Sequence, residues 1–309
     1  MTRIQANLVL LLTGAVWGMG FVAQSTAMAS VGPWTFTAMR FVLAALTLLP
    51  FAVWENRRRG GAPAGAELGG FALCGAALFA GSILQQFGML TTSVTNSGFL
   101  TGLYVVMTPA VAFVLFRQHP HWVVWLAAPV ALVGLLLAGG GRLEAIGRGD
   151  WLTVVAAATF AVQIVLVGLF AARSHRPFAL SFAQFAVCAV AGLAGMLAFE
   201  IVDWTAILRV WPNILYGGCV SAGLAFTLQT IGQRWTTASQ AAIFLSSEAV
   251  FAALFGAIFL GERIPPVGYL GCVLIFAAML VVELVPARWP SPRRGVHNQA
   301  ASSEGAAGR

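Results

Sequence analysis

The sequence predicts an all-α integral membrane protein whose ten transmembrane helices form two five-helix repeats of inverted topology. Three observations carry that expectation. Of the 309 residues, 59% are hydrophobic and only 9% are charged, and the mean hydropathy is +0.87; an ordinary soluble domain carries far more charge. The charges bunch between apolar runs of about 20 residues, the length an α-helix needs to cross a hydrocarbon core of about 30 Å. Residues 95–116, TNSGFLTGLYVVMTPAVAFVLF, also return 144 positions later as residues 239–260, SQAAIFLSSEAVFAALFGAIFL.

Taken in order, the apolar runs place spans at about 6–27, 33–54, 68–90, 95–116, 122–140, 151–171, 178–199, 211–233, 239–260 and 266–285. The first is too long for the apolar core of a cleavable signal peptide and leads straight into a second span. Several edges carry tryptophan (Trp34, Trp54, Trp122, Trp151 and Trp211), an amphipathic ring that favours the headgroup level. Residues 286–309 are polar and rich in small residues, and are expected to be a disordered tail.

The slide by 144 that relates the two stretches also lays Pro33 on Pro177, Arg40 on Gln184, Gln85 on Gln229, Gly88 on Gly232, Asn96 on Gln240 and Tyr104 on Glu248. A slide of 143 lays Trp17 on Phe160. The expected units are therefore 1–145 and 146–285, each with five spans. Five is odd, so the second unit enters the membrane upside down relative to the first. Rocking such halves against each other exchanges an outward-open cavity for an inward-open one at similar energy, which is the architecture of alternating access.

Every basic residue among the 17 Lys+Arg is arginine. A cytoplasmic N-terminus puts Arg3, Arg57, Arg58, Arg59, Arg117, Arg173, Arg176, Arg234 and the arginines of the tail inside, and leaves only Arg142, Arg148, Arg209 and Arg263 outside. The positive-inside rule then places both termini in the cytoplasm. It also accounts for the net charge of +7 without a nucleic-acid partner, which would need a basic face interleaved with aromatics on a soluble domain.

Several short motifs fall in a fixed order along these spans: Trp17-Gly18 in the first, Pro33 followed by Arg40-Phe41 in the second, NSGFLTGLYVV and Pro109 in the fourth, and Glu248 with Gly261-Glu262-Arg263 at the ninth. Over residues 6–285 the chain resembles the bacterial drug/metabolite transporter superfamily of the EamA type. The resemblance implies a ten-helix exporter or exchanger of small metabolites or drugs in the inner membrane, with a central cavity between the repeats. In one place the chain departs from the pattern. Gln118 stands where the second repeat has Glu262, so a role for a first-half acid at that turn does not carry over.

The candidate substrate-binding residues are those a bilayer should exclude, with their neighbours. Glu248 lies nine residues into its span, about 13 Å deep, where a charge costs on the order of 3 kcal/mol. It must face a cavity or a partner, carry a proton, or be a buried neutral acid. Arg40 lies seven residues into the second span and about 6 Å along the membrane normal from Glu248, so the two are able to pair. Alternatively Arg40 snorkels to the interface. Lining one cavity together, they suit a zwitterion such as an amino acid.

Gln85 and Gln229 fall near opposite faces by their depth in the spans and are expected at the two mouths, or as interhelical glue. Trp17, about 16 Å into the first span, is too deep for an interfacial belt and is placed in the bundle interior. Asn96, Phe99 and Tyr104 complete the set from the fourth span, although Phe99 and Tyr104 are five residues apart and need not share a wall. Gly14 with Gly18, and Gly98 with Gly102, are GxxxG pairs that allow close helix approach, and Pro109 is expected to kink the fourth span.

Other classes find little support. No HExxH, G-x-S-x-G or P-loop is present, so neither an intramembrane enzyme nor ATP drive by this chain is indicated. The four cysteines lie singly inside apolar spans and read as packing residues; no metal and no cofactor is expected. A channel-like facilitator would need a continuous polar path, which scattered single polar groups do not give. The expected partners are the lipid bilayer and a small-molecule substrate, with the oligomeric state left open.

Overall fold

The computed structural model describes residues 1–138, 147–261, 263 and 266–288. Every regular element among them is helical. The first unit comprises α1 (Arg3–Met28), α2 (Pro33–Arg58), α3 (Gly65–Gly88), α4 (Val94–Gly102), α5 (Tyr104–Phe116) and α6 (Trp122–Ala138). The second comprises α7 (Arg148–Ser174), α8 (Pro177–Phe199), α9 (Trp204–Arg209), α10 (Trp211–Leu215), a π-helix over Tyr216–Phe226, α11 (Thr227–Gln233), α12 (Ala238–Leu245), α13 (Ser247–Leu260) and α14 (Pro266–Arg288). With α4–α5, α10–α11 and α12–α13 each taken as one span, nine spans among the described residues are long and apolar enough to cross a membrane. The tenth, α6, is 17 residues long and ends where the described residues do. The chain thus folds as a ten-span bundle. The residues 139–140 that close the fifth expected span, Glu262, and most of the tail lie outside the described residues.

The twofold relation between the repeats is legible in single contacts. A Cβ on Gly88 would stand 2.3 Å from the Thr153 hydroxyl and 2.8 Å from the Gly149 carbonyl, so α3 meets the start of α7 backbone to backbone. Its mate Gly232 meets α1 at Leu10 and at the Ala6 carbonyl, the positions that a slide of 143 lays on Thr153 and Gly149. Likewise both copies of the duplicated stretch are interrupted within one residue of the same depth: α4 gives way to α5 at Leu103 and α12 to α13 at Ser246. At each interruption the next turn closes with a tighter, three-residue bond, Val106 N to Leu103 O and Ala249 N to Ser246 O, both 3.2 Å. α5 runs through Pro109, and the break lies six residues earlier, in a position that the second repeat reproduces without a proline.

Helices α2 and α8 pack along each other and are clasped at both ends. Pro33 and Pro177 each open a helix whose own N-cap residue, Gly32 or Arg176, supplies no side-chain acceptor. Each helix borrows one from the other. Glu200, just past α8, accepts from the backbone N–H groups of Trp34 (3.0 Å) and Thr35 (2.8 Å) and from the Thr35 hydroxyl (2.7 Å). Glu55, in the last turn of α2, accepts from Ala179 N at 2.8 Å. A carboxylate on free N–H groups at a helix start gains from both the hydrogen bonds and the macrodipole. Gly32 is required for this: a Cβ there would stand 2.2 Å from a Glu200 oxygen. Glu200→Ala is expected to cost about 1–3 kcal/mol and to lower the thermal midpoint in detergent, with Glu200→Gln falling between.

Two further features go beyond the sequence expectation. The eighth span is interrupted by an eleven-residue π-helix, and a short helix, α9, capped by Asp203, precedes it. At the ends of α5 and α13, the mates Arg117 (φ 51°) and Gly261 (φ 70°) both adopt the left-handed cap, which glycine takes without a steric penalty and arginine does not.

Candidate functional site

The kink at Ser246 makes Glu248 a first-turn residue of α13, where the free N–H end of the half-helix favours a carboxylate. Its depth is fixed by α1. A Cβ on Gly14 would stand 2.2 Å from the Ser247 hydroxyl and 3.2 Å from Glu248 N, and one on Gly18 would collide with Phe251. The GxxxG pair of the first span is thus a packing face, and its partner is α13. Glu248 is 3% exposed, and one of its oxygens has no hydrogen-bond partner. Beside it lies Tyr104, first residue of α5 and its repeat mate, whose hydroxyl is directed at the Glu248 carboxyl.

Arg40 reaches the same interior from α2. The π-helix brings the two backbones together, for a Cβ on Gly218 would stand 2.8 Å from the Arg40 carbonyl and 2.6 Å from Leu43 Cβ. The guanidinium donates to Gln24 Oε1 at 2.7 Å and sits 4.7 Å from the ring centroid of Phe41 and 5.7 Å from that of Phe36, a cation–π seat that stabilises a desolvated arginine. Arg40 is 5% exposed and its Nε has no partner, so it does not snorkel to the interface. Across the site, Trp17 donates its indole N–H to the Ser221 carbonyl of the π-helix at 3.1 Å and packs against Phe226.

These groups surround one central cavity of about 50 Å³, space for a few waters at about 10–15 Å³ apiece. Five repeat pairs line it together: Trp17 with Phe160, Phe21 with Ile164, Ser82 with Phe226, Gln85 with Gln229 and Tyr104 with Glu248. The cavity therefore lies on the pseudo-twofold axis between the halves. Its walls break that symmetry chemically, because Arg40 answers to Gln184 and Glu248 to Tyr104. Both ionisable groups line it, yet no ion pair joins them; among the described residues the salt bridge is Arg3 with Glu283. Unsatisfied polar atoms point to a ligand in such a setting, since a buried donor or acceptor without a partner costs about 1–3 kcal/mol.

The expectation that Gln85 and Gln229 occupy opposite mouths is corrected. α3 runs antiparallel to α7 with Gly81 at Phe160 and Gly88 at Thr153, which sets Gln85 level with about Ala156. Gln229 bonds directly to Gln163 on the same helix, at 3.2 Å. Seven residues of α7 separate the two levels, about 10 Å, so both glutamines flank the midplane. Gln229 is part of a relay, because Gln163 also donates to Gln184 at 3.0 Å; Gln85 donates to Thr101 at 2.8 Å. Asn96 and Phe99 are not brought to the cavity. Asn96 bonds Asp150 near a membrane edge, and Phe99 is buried in the hydrophobic core. Ser82, Thr101, Ser221 and Phe226 line the cavity without having been singled out from sequence, although Ser82 and Phe226 are repeat mates and the slide alone connects them.

Comparison with known proteins agrees with the fold. The profile of the EamA-like transporter family matches the chain twice, over residues 4–140 and 147–284. The chain belongs to the EamA-like transporter family. Among its relatives, an uncharacterized transporter of Archaeoglobus fulgidus is 31% identical over 91% of this chain and 87% of its own length. The uncharacterized transporter YwfM of Bacillus subtilis is 25% identical over 91% and 94%, and a chloroplastic WAT1-related protein of Arabidopsis thaliana is 24% identical over 86% and 66%. A crystal structure with 15% identity superposes with a TM-score of 0.74, covering 94% of this chain and 99% of its own; it shows the shared fold. As an EamA-like protein, the chain is a multi-pass membrane protein of a transporter family.

Proposed function

We propose that the protein is a secondary transporter that exports or exchanges small zwitterionic metabolites, amino acids or amphipathic drug-like solutes, across a bacterial inner membrane by alternating access. One observation carries the reading: a buried guanidinium, Arg40, and a buried carboxyl group, Glu248, line one cavity on the pseudo-twofold axis without pairing. A carboxylate on Arg40 and an ammonium on Glu248 would satisfy both, with Trp17, Phe21 and Phe226 flanking the apolar part. Such a site binds from either side of the membrane, which suits alternating access, whereas catalysis would need a nucleophile or an activated water.

The test is uptake into sealed proteoliposomes across a panel of amino acids, with and without a pH gradient. Accumulation or counterflow of zwitterions, exceeding that of matched amines and carboxylic acids, is the expected result. Equal passage of all three classes would point to a channel-like facilitator, and product formation in detergent would point to an enzyme. The topology has its own check. The chain has its termini on one face and Arg148 on the other if ten spans are inserted, so reporters after Arg59 and at the C-terminus should be cytoplasmic and one near Arg148 external. Termini on opposite faces would remove the inverted repeat.

A further inference from the structure

At each end of the bundle one carboxylate ties the start of a kinked span to the opposite repeat. On the face away from the N-terminus, Asp150 in the first turn of α7 accepts on Oδ1 from the Thr92 hydroxyl (2.9 Å) and from Asn96 Nδ2 (2.7 Å), at the start of α4. On the N-terminal face, Glu283 Oε2 near the end of α14 accepts from Asn7 Nδ2 (2.5 Å) and from Gln240 Nε2 (2.9 Å), at the start of α12, and pairs with Arg3 (3.2 Å). Asn96 and Gln240 are repeat mates, and so are Asp150 and Asn7 under the slide that relates Trp17 to Phe160. The two clusters are one clasp built twice, with the acid carried by a different helix on each face.

Each clasp stands eight residues, about 12 Å of helix, from the cavity group on its own span: Asn96 from Tyr104 and Gln240 from Glu248. Between clasp and cavity group lies the interruption of the span, so α4, which gives Thr101 to the cavity wall, and α12 are the half-helices that join each clasp to the site. Both clasps are made at once here, and the cavity has room only for a few waters. We propose that Asp150 and Glu283 are the two gate residues of the transport cycle, each sealing the central cavity from one face and opening in turn; this rests on the transporter reading above. A clasp of side-chain hydrogen bonds at the membrane edge suits that task, because opening exchanges each bond for water and leaves no polar group stranded in hydrocarbon. Arg3 is partly exposed, so the Glu283 clasp depends mainly on buried Asn7 and Gln240.

The test follows the cavity's accessibility. In a background with Cys74, Cys188, Cys219 and Cys272 replaced by alanine, Ser82→Cys places a thiol in the cavity wall, and a membrane-impermeant maleimide is applied from either side of sealed vesicles. Asp150→Ala should speed labelling at least about tenfold from the Asp150 face only, the factor expected for losing a charge-assisted hydrogen bond. Glu283→Ala should do so from the N-terminal face only. Asp150 also caps α7 through Gly147 N at 2.9 Å, so the double variant Thr92→Val, Asn96→Leu, which leaves that cap intact, must reproduce the Asp150→Ala result; Gln240→Leu must reproduce that of Glu283→Ala. Labelling that rises from both faces alike, from the wrong face, or not at all overturns the proposal. Transport of zwitterions by the unsubstituted protein, measured in separate vesicles, fails independently: face-selective labelling without it would discard the substrate class and keep the gates.

Discussion

Glu248→Gln is expected to lower transport of zwitterionic solutes by at least about tenfold while leaving the protein inserted and no less stable. The carboxyl group is 3% exposed, with one oxygen unpaired, and among the described residues no arginine lies within ion-pairing distance. A charge on it gains no ion pair within the protein and carries the cost of leaving water. An isosteric amide removes that cost and keeps the close packing of Gly14 on the start of α13. What the amide loses is the attraction to a substrate ammonium, worth about 1.5–3 kcal/mol for a charge-assisted hydrogen bond, or roughly 10- to 100-fold in affinity. Binding by the purified variant, its melting curve and its pH profile of transport separate the outcomes. Loss of the response to a pH gradient together with retained affinity would make Glu248 a proton carrier. Wild-type affinity, rate and pH profile would leave it a buried neutral acid.

Arg40→Gln should give the complementary loss, weakening solutes that bear a carboxylate by at least about tenfold and sparing simple amines. Glutamine is the side chain the second repeat uses at the matching position, Gln184, where it is fully buried and accepts from Gln163. The helix interface therefore tolerates it. Gln24, which loses its partner, is able to pair with the introduced amide. Arg40→Lys should not rescue, because a lysine lacks the planar group that lies over Phe41 and the fixed fork of donors that takes a carboxylate bidentately. Normal transport by Arg40→Gln would make Arg40 a structural tie between α1 and α2. If both charges hold the same solute, the double variant Arg40→Gln, Glu248→Gln should lose less than the two single losses combined.

Hydrophobicity, the spacing of charges and a constant slide along the chain were enough to determine ten spans, their pairing into repeats, and which buried polar residues deserved suspicion. These properties are local or periodic, and a bilayer forces them: a span must be apolar over a fixed length, and an interior charge must find a reason to be there. Arg40, Glu248, Trp17, Tyr104, Gln85 and Gln229 were legible for that reason. What the linear reading could not supply was position across helices. Depth counted from span ends put Gln85 and Gln229 at opposite mouths, because it took each helix as an independent ruler; packing against α7 brings both to the midplane. Asn96 sat in the duplicated motif and so looked like a binding residue, yet its partner Asp150 lies 54 residues away and only the meeting of α4 with α7 joins them. The break of both kinked spans one or two residues before Tyr104 and Glu248, and the π-helix that seats Arg40, carry no proline to announce them. They arise where glycines let backbones approach and neighbouring side chains take up the released groups, a balance of contacts that only the assembled bundle decides.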